Sequence, residues 1–199
     1  MLYIAYGSNM DLGQMVRRCP DAKVLGSSAL DGWRLMFKGS LSGNYATIER
    51  DEKCKTPVLV FDISEADELS LDRYEGFPDF YYKDYLDVPG YGTGMVYIMH
   101  EERLMGIPSQ RYYDVLYKAY EEFSFDMSIL EEALRYSTEH RGKSKINPGR
   151  RKIALDKRRL KRGIYCTKEE HGWLLEILEE RRLRLGLKPK SKPKNKKNT

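Results

Sequence analysis

Leu2-Tyr3-Ile4-Ala5-Tyr6-Gly7-Ser8-Asn9-Met10 is the stretch whose reading decides the fold. Its first five residues form an apolar, β-prone run that stops at Gly7, the pattern of a short strand. From Asp11 to Arg18, Leu12, Met15 and Val16 follow helical spacing, cations sit at the end, and Cys19-Pro20 closes the segment. The opening unit is therefore strand, tight Gly-Ser-Asn loop, helix. Gly, Ser and Asn accept tight turns and expose their amide N–H groups. Between a strand end and a helix start, such a loop either makes a concavity for a carboxylate or oxyanion or is a plain turn with Asn9 as helix cap. Spacing leaves both readings open.

Working outward, short strands are expected around residues 22–29, 33–37, 45–48 and 57–63, bounded by Gly, Asp and Asn. Ser64 stands where a helix N-cap belongs, with Asp67 three residues on, and Leu69, Leu71 and Tyr74 carry the pattern to Gly76. Two aromatic-rich strands follow, at 81–88 and 94–100, and two helical patterns close the body at 109–123 and 126–139. Strands outnumber helices, and the turns joining neighbouring strands are too short for parallel crossovers. The reading is α+β, on a mostly antiparallel, curled sheet.

The chain has 199 residues, 41% hydrophobic and 33% charged, with a formal net charge of +5. That figure hides a division. Residues 145–199 hold 19 of the 35 basic and 6 of the 30 acidic residues, a net of +13, which leaves residues 1–144 with 16 against 24, a net of −8. The expected organisation is a domain over 1–140 and a basic C-terminal extension over 141–199, helical to about residue 185 and then disordered. The extension either contacts nucleic acid or an acidic partner through its cations or is a solvated appendage. No apolar run approaches the ~20 residues of a bilayer span, so no membrane partner is expected. The N-terminus lacks the pattern of a secretory signal. Cys19, Cys54 and Cys166 are odd in number and widely spaced, reading as free thiols in a reducing cytoplasm.

A second segment, Asp72-Arg73-Tyr74-Glu75-Gly76-Phe77-Pro78-Asp79-Phe80-Tyr81-Tyr82-Lys83, carries the other chemical signal. Glu75 ends a helix, where the dipole disfavours a carboxylate, and Tyr74, Phe77, Phe80 and Tyr81 flank it. Both effects push a carboxyl pKa upward, which suits a group that takes and returns a proton near neutrality. Taken alone, the segment reads first as a solvated helix end. His100, His140 and His171 lack metal-ligand spacing, so no metal site is expected. Cys19 follows a helix instead of preceding one, so nothing lowers its pKa. The series Tyr112, Tyr113, Leu116, Tyr117 and Tyr120 reads as core packing on one helix face.

Together, YGSNM after an N-terminal strand and the later LDRYEGFPDFYYK resemble the γ-glutamylcyclotransferase/AIG2-like family, closest to its γ-glutamylamine cyclotransferase and AIG2-like branches, over roughly residues 1–138. The resemblance implies a small β-barrel or strongly curled mixed sheet with packed helices. It implies that Tyr6, Gly7, Ser8, Asn9 and Met10 bind the γ-glutamyl moiety, that Glu75 is the catalytic acid/base, and that Tyr81 belongs to the substrate site. The implied reaction is cofactor-free: the α-amine of a small γ-glutamyl substrate attacks its own γ-carbonyl, giving 5-oxoproline and a free amine or amino acid. Two departures stand out. Lys83 replaces a frequent Arg, keeping charge but losing the bidentate fork, and Leu130 lies near the place of an aromatic that some members set over the substrate. The alternative is a non-catalytic binding or regulatory module on the same fold.

Overall fold

The structure, a computed structural model, describes residues 1–40 and 43–144. All but the first four residues of the expected basic extension lie outside that range, as do its anticipated helix, disorder and partners. Among the described residues the elements are β1 (Leu2–Ala5), α1 (Leu12–Arg18), β2 (Lys23–Ser40), β3 (Gly43–Asp62), α2 (Glu65–Glu75), β4 (Tyr81–Val88), β5 (Gly92–Met99), β6 (Leu104–Met105), α3 (Gln110–Glu122) and α4 (Met127–Glu139). The strands form one mixed, strongly curled sheet in the order β4-β5-β1-β3-β2-β6. The α+β expectation holds. One pair is parallel, β1 with β5, in register Tyr3↔Met95 and Ile4↔Val96.

The four short strands expected between residues 22 and 63 are two long ones, paired antiparallel from Lys23↔Asp62 to Ser40↔Gly43. The apparent breaks are bends. The register shifts between Val24 and Gly26 and again between Asp31 and Trp33, and both Gly26 and Gly32 have positive φ, at 151° and 77°. The first shift is a bulge, one extra β2 residue that tightens the twist without ending the ladder; at the second, Gly32 stands against residues 51–54. Turn-like polar residues here therefore mark where the ribbon curls.

β1 has four residues, yet it holds the middle of the sheet, antiparallel to β3 through Leu2↔Asp62 to Ala5↔Leu59. Tyr3, Ile4 and Ala5 are all buried, as are Val58 to Phe61 and Met95 to Met99. Continuous rather than alternating burial follows from cover on both faces. One face receives α4, whose Ser137 hydroxyl accepts from the Phe37 N–H at 2.8 Å. Leu130 is fully buried in the core.

α2 begins and ends as the sequence dictates. The Ser64 hydroxyl accepts from the Asp67 N–H, and the Asp67 carboxylate accepts from the Ser64 N–H, closing a capping box. Gly76 then takes a left-handed conformation, φ 65°, and the Phe77 N–H bonds to the Asp72 carbonyl at 2.9 Å. That stop fixes Glu75 as the last helical residue. Lys83 on β4 ties the helix to the sheet through Glu68, at 2.5 Å, and Asp72, at 2.7 Å. The charge at this departure from the family pattern braces α2.

Candidate active site

β1 runs out at Ala5 and the chain folds into a single 3-10 turn, Ser8–Met10. The Met10 N–H bonds to the Gly7 carbonyl at 3.0 Å and the Asp11 N–H to the Ser8 carbonyl at 3.2 Å. The turn thus closes through Met10 and Asp11, and the Ser8 amide at its start meets the Tyr112 hydroxyl. Asp11, not Asn9, caps α1, accepting from the Gln14 N–H at 2.9 Å. That releases the Asn9 side chain. It is buried, and its Nδ2 donates to the Tyr3 hydroxyl at 2.7 Å and to Glu75 Oε1 at 2.9 Å.

The two separated segments meet here. Tyr6, Gly7, Ser8, Asn9, Glu75 and Tyr81 line one cavity of about 30 Å³, joined by Tyr3, Ile4, Ala46, Tyr97 and Tyr112. Met10 does not reach it; its side chain is wholly buried and its amide is committed to the turn. Gly7 is not there for a left-handed backbone, since its φ is −119°. It leaves room: a Cβ would contact the Tyr112 hydroxyl at 3.4 Å and the Ala46 Cβ at 3.6 Å.

Burial pushes the Glu75 carboxyl from 4.5 up to about 7, against the Asn9 hydrogen bond and the positive charge of Arg18, both of which lower it. The residues that desolvate it differ from those expected. Tyr74 and Phe77 are exposed. The dry surface comes from Tyr3, Tyr6, Tyr81 and Tyr97, all buried, with half-buried Tyr112. Burial also raises these five phenols, so they are neutral at physiological pH. Three are spent as donors: Tyr6 to the Tyr97 carbonyl at 2.5 Å, Tyr81 to the Ala46 carbonyl at 2.8 Å, and Tyr97 to Asp72 at 2.5 Å. Tyr3 accepts from Asn9, and Tyr112 accepts from the Ala46 N–H at 3.1 Å. Each accepting phenol keeps a proton to give.

Arg18 stands behind Asn9. It donates to Asn9 Oδ1 and Gln14 Oε1, both at 2.5 Å, and to the Tyr74 hydroxyl at 2.7 Å, while its guanidinium lies 3.6 Å from the Tyr74 ring centre. Sequence reasoning noted Arg18 only as a helix-end cation and missed Tyr3 and Tyr97. It placed Tyr112 in the core. That residue opens α3, and its side chain reaches back over the preceding turn toward the cavity. Tyr117, from the same series, is exposed. Cys19 is buried with its thiol pushed up to about 12, which excludes a thiolate there. Among the described residues no group of three or more His, Cys, Asp or Glu is placed to hold a metal ion.

Ser8 and Tyr112 also line an outer cleft of about 410 Å³. Across its inner edge the Ser8 and Tyr74 hydroxyls lie 3.3 Å apart.

Three solved structures share the fold. One described as a gamma-glutamyl cyclotransferase has a TM-score of 0.61 at 21% identity, covering 79% of this chain and 98% of that one. An uncharacterized protein from Homo sapiens follows with a TM-score of 0.59 at 19% identity, covering 87% and 96%. YkqA from Bacillus subtilis has a TM-score of 0.58 at 21% identity, covering 69% of this chain and 54% of that one. No curated protein matches the sequence. A family model described as gamma-glutamyl cyclotransferase, AIG2-like, matches residues 3–115, which takes in the 3-10 turn, Glu75 and Tyr112. The chain belongs to the AIG2-like gamma-glutamyl cyclotransferase family.

Proposed function

We propose that the chain converts a small γ-glutamyl compound, an amine or amino acid conjugate, to 5-oxoproline and the free amine, with Glu75 as general acid/base. The observation that carries this reading is a carboxyl raised to about 7 and held by Asn9 in a phenol-lined cavity. The reaction needs little else. The nucleophile is tethered to its electrophile, so proximity is supplied by the substrate; effective molarities of about 10⁵ M and above are known for well-oriented cases.

The Glu75 carboxylate takes a proton from the substrate's α-ammonium. The freed amine attacks the γ-carbonyl carbon, a C–N bond forms, and negative charge moves to the carbonyl oxygen. The Asn9 amide and the Tyr3 and Tyr112 hydroxyls are the groups placed to donate to that oxygen or to the α-carboxylate. Protonated Glu75 then delivers its proton to the departing nitrogen as the old C–N bond breaks, and the restored carboxylate takes the second proton from the new ring nitrogen and passes it to the released amine, which leaves as an ammonium. No water is consumed. A carboxyl near 7 serves both transfers, because at neutral pH it is populated in both forms.

A cavity of about 30 Å³ has room for a water or two. Entry of a γ-glutamyl group therefore requires the rim to open, and Tyr74, exposed and held by Arg18 and Ser8, stands there. The test is Glu75→Gln, with 5-oxoproline release followed by mass spectrometry. The variant folds and loses at least three orders of magnitude in turnover. Retained turnover in a folded variant removes Glu75 from the role.

A further inference from the structure

The outer cleft has a charge of its own. Arg17, Arg18 and Arg111 line it, with Asp11 as the acidic residue. Asp11 is already committed, one oxygen capping α1 and the other accepting from Gln14 Nε2 at 3.0 Å. The three side-chain acceptors of Arg18 are neutral: an amide of Asn9, an amide of Gln14 and a phenol. Arg17 and Arg111 are exposed and make no ion pair among the described residues. This positive cleft sits on a body whose net charge over residues 1–144 is −8. It is a local feature, not a consequence of a basic surface.

Position makes the charge relevant to specificity. Ser8 and Tyr112 line both spaces, so the cleft is the next room outward from the cavity that holds Glu75. With the γ-glutamyl head beside Glu75, the group on the other side of the scissile bond lies in the cleft. We propose that this cleft selects γ-glutamyl substrates whose leaving group carries a carboxylate, an amino acid or a peptide with a free C-terminus, over those that release a neutral or cationic amine. A diamine would bring a second cation among three guanidiniums. The proposal rests on the cyclotransferase reading and narrows its substrate.

The experiment compares kcat/KM for γ-glutamyl-L-alanine, its neutral isostere γ-glutamyl-L-alaninamide, and mono-γ-glutamylcadaverine, at 20 mM and 500 mM salt. At low salt the carboxylate compound is favoured over the amide by about tenfold, the yield of two screened surface pairs, and the cation ranks last. High salt narrows the ratio, since the Debye length falls below ~5 Å. In Arg17→Gln/Arg111→Gln the carboxylate-to-amide ratio falls to within about twofold. Equal rates for alanine and alaninamide compounds, a preference for the cation, or a ratio that survives the double substitution overturns the proposal. If none of the three releases 5-oxoproline, the cyclotransferase reading fails. Calorimetric binding of the same three compounds then decides the charge selection: the same order sustains it, and equal affinities or no binding ends it.

Discussion

Replacing Glu75 by Gln is expected to stabilise the fold, and only above a certain pH. The carboxyl titrates near 4.5 in an unfolded chain and at about 7 in the folded one. Below about pH 4.5 it is protonated in both states and imposes no penalty. Between the two values the unfolded chain gives up its proton first, and the folded state loses about 1.4 kcal/mol per pH unit. Above 7 the loss is complete, at about 3 kcal/mol. The residue is only partly buried, and solvent screening brings the lower bound to about 2 kcal/mol. Gln is neutral throughout, and its Oε1 still accepts from Asn9 Nδ2. In urea unfolding the variant therefore matches wild type at pH 4.5 and exceeds it by about 2–3 kcal/mol at pH 8. For a unit of this size that is a rise in Tm of roughly 6–12 °C. A gap between the two proteins that stays constant from pH 4.5 to 9 would refute the claim that burial of a charge sets this carboxyl.

Arg18→Gln removes the cation that lowers Glu75, so the Glu75 pKa rises further and the acidic limb of the kcat/KM profile moves to higher pH; a larger activity loss at pH 6 than at pH 8 is the signature. Lys38 is fully buried, paired with the Glu49 carboxylate and donating to the Glu101 carbonyl at 2.9 Å. Lys38→Met takes the ammonium away from a buried carboxylate and costs about 3–5 kcal/mol by urea unfolding, part of which Glu49→Gln restores in the double variant.

The elements of this fold are local statements, and the sequence carries them well. The Ser64/Asp67 capping box, the stop at Gly76 and the caps at Ser109 and Asp126 each arise within four residues of chain, and each stands where patterning puts it. The 22–63 region failed for the opposite reason. Gly32 and the polar residues of 49–55 look like turns, but whether such residues end a strand or bend it depends on a partner 15 to 40 residues away. The site divides in the same way. Glu75 and the Tyr6–Asn9 loop were legible because each sits at an element boundary with a special residue beside it. Tyr3, Tyr97 and Tyr112 were not, because an inward-facing Tyr has the same periodicity as any core residue; only the tertiary fold brings β1, β5 and α3 to one cavity.

Arg18 shows why a carboxyl in such a place stays useful. Desolvation alone would carry Glu75 further upward and deplete its base form at neutral pH. A direct Arg–Glu pair would do the reverse, since a contacting cation favours the carboxylate and removes its power to protonate a departing amine. The chain places an amide between them: Arg18 donates to Asn9 Oδ1, and Asn9 Nδ2 donates to Glu75. The cation then acts at a distance and through a polarised donor, enough to offset part of the burial and too little to cancel it. Asn9 is suited to this because one side chain offers an acceptor and a donor on opposite atoms. Asp there would repel Glu75, and Ser would be too short to bridge. Burial raises Glu75, and the last residue of the Gly-Ser-Asn loop is the part that offsets it.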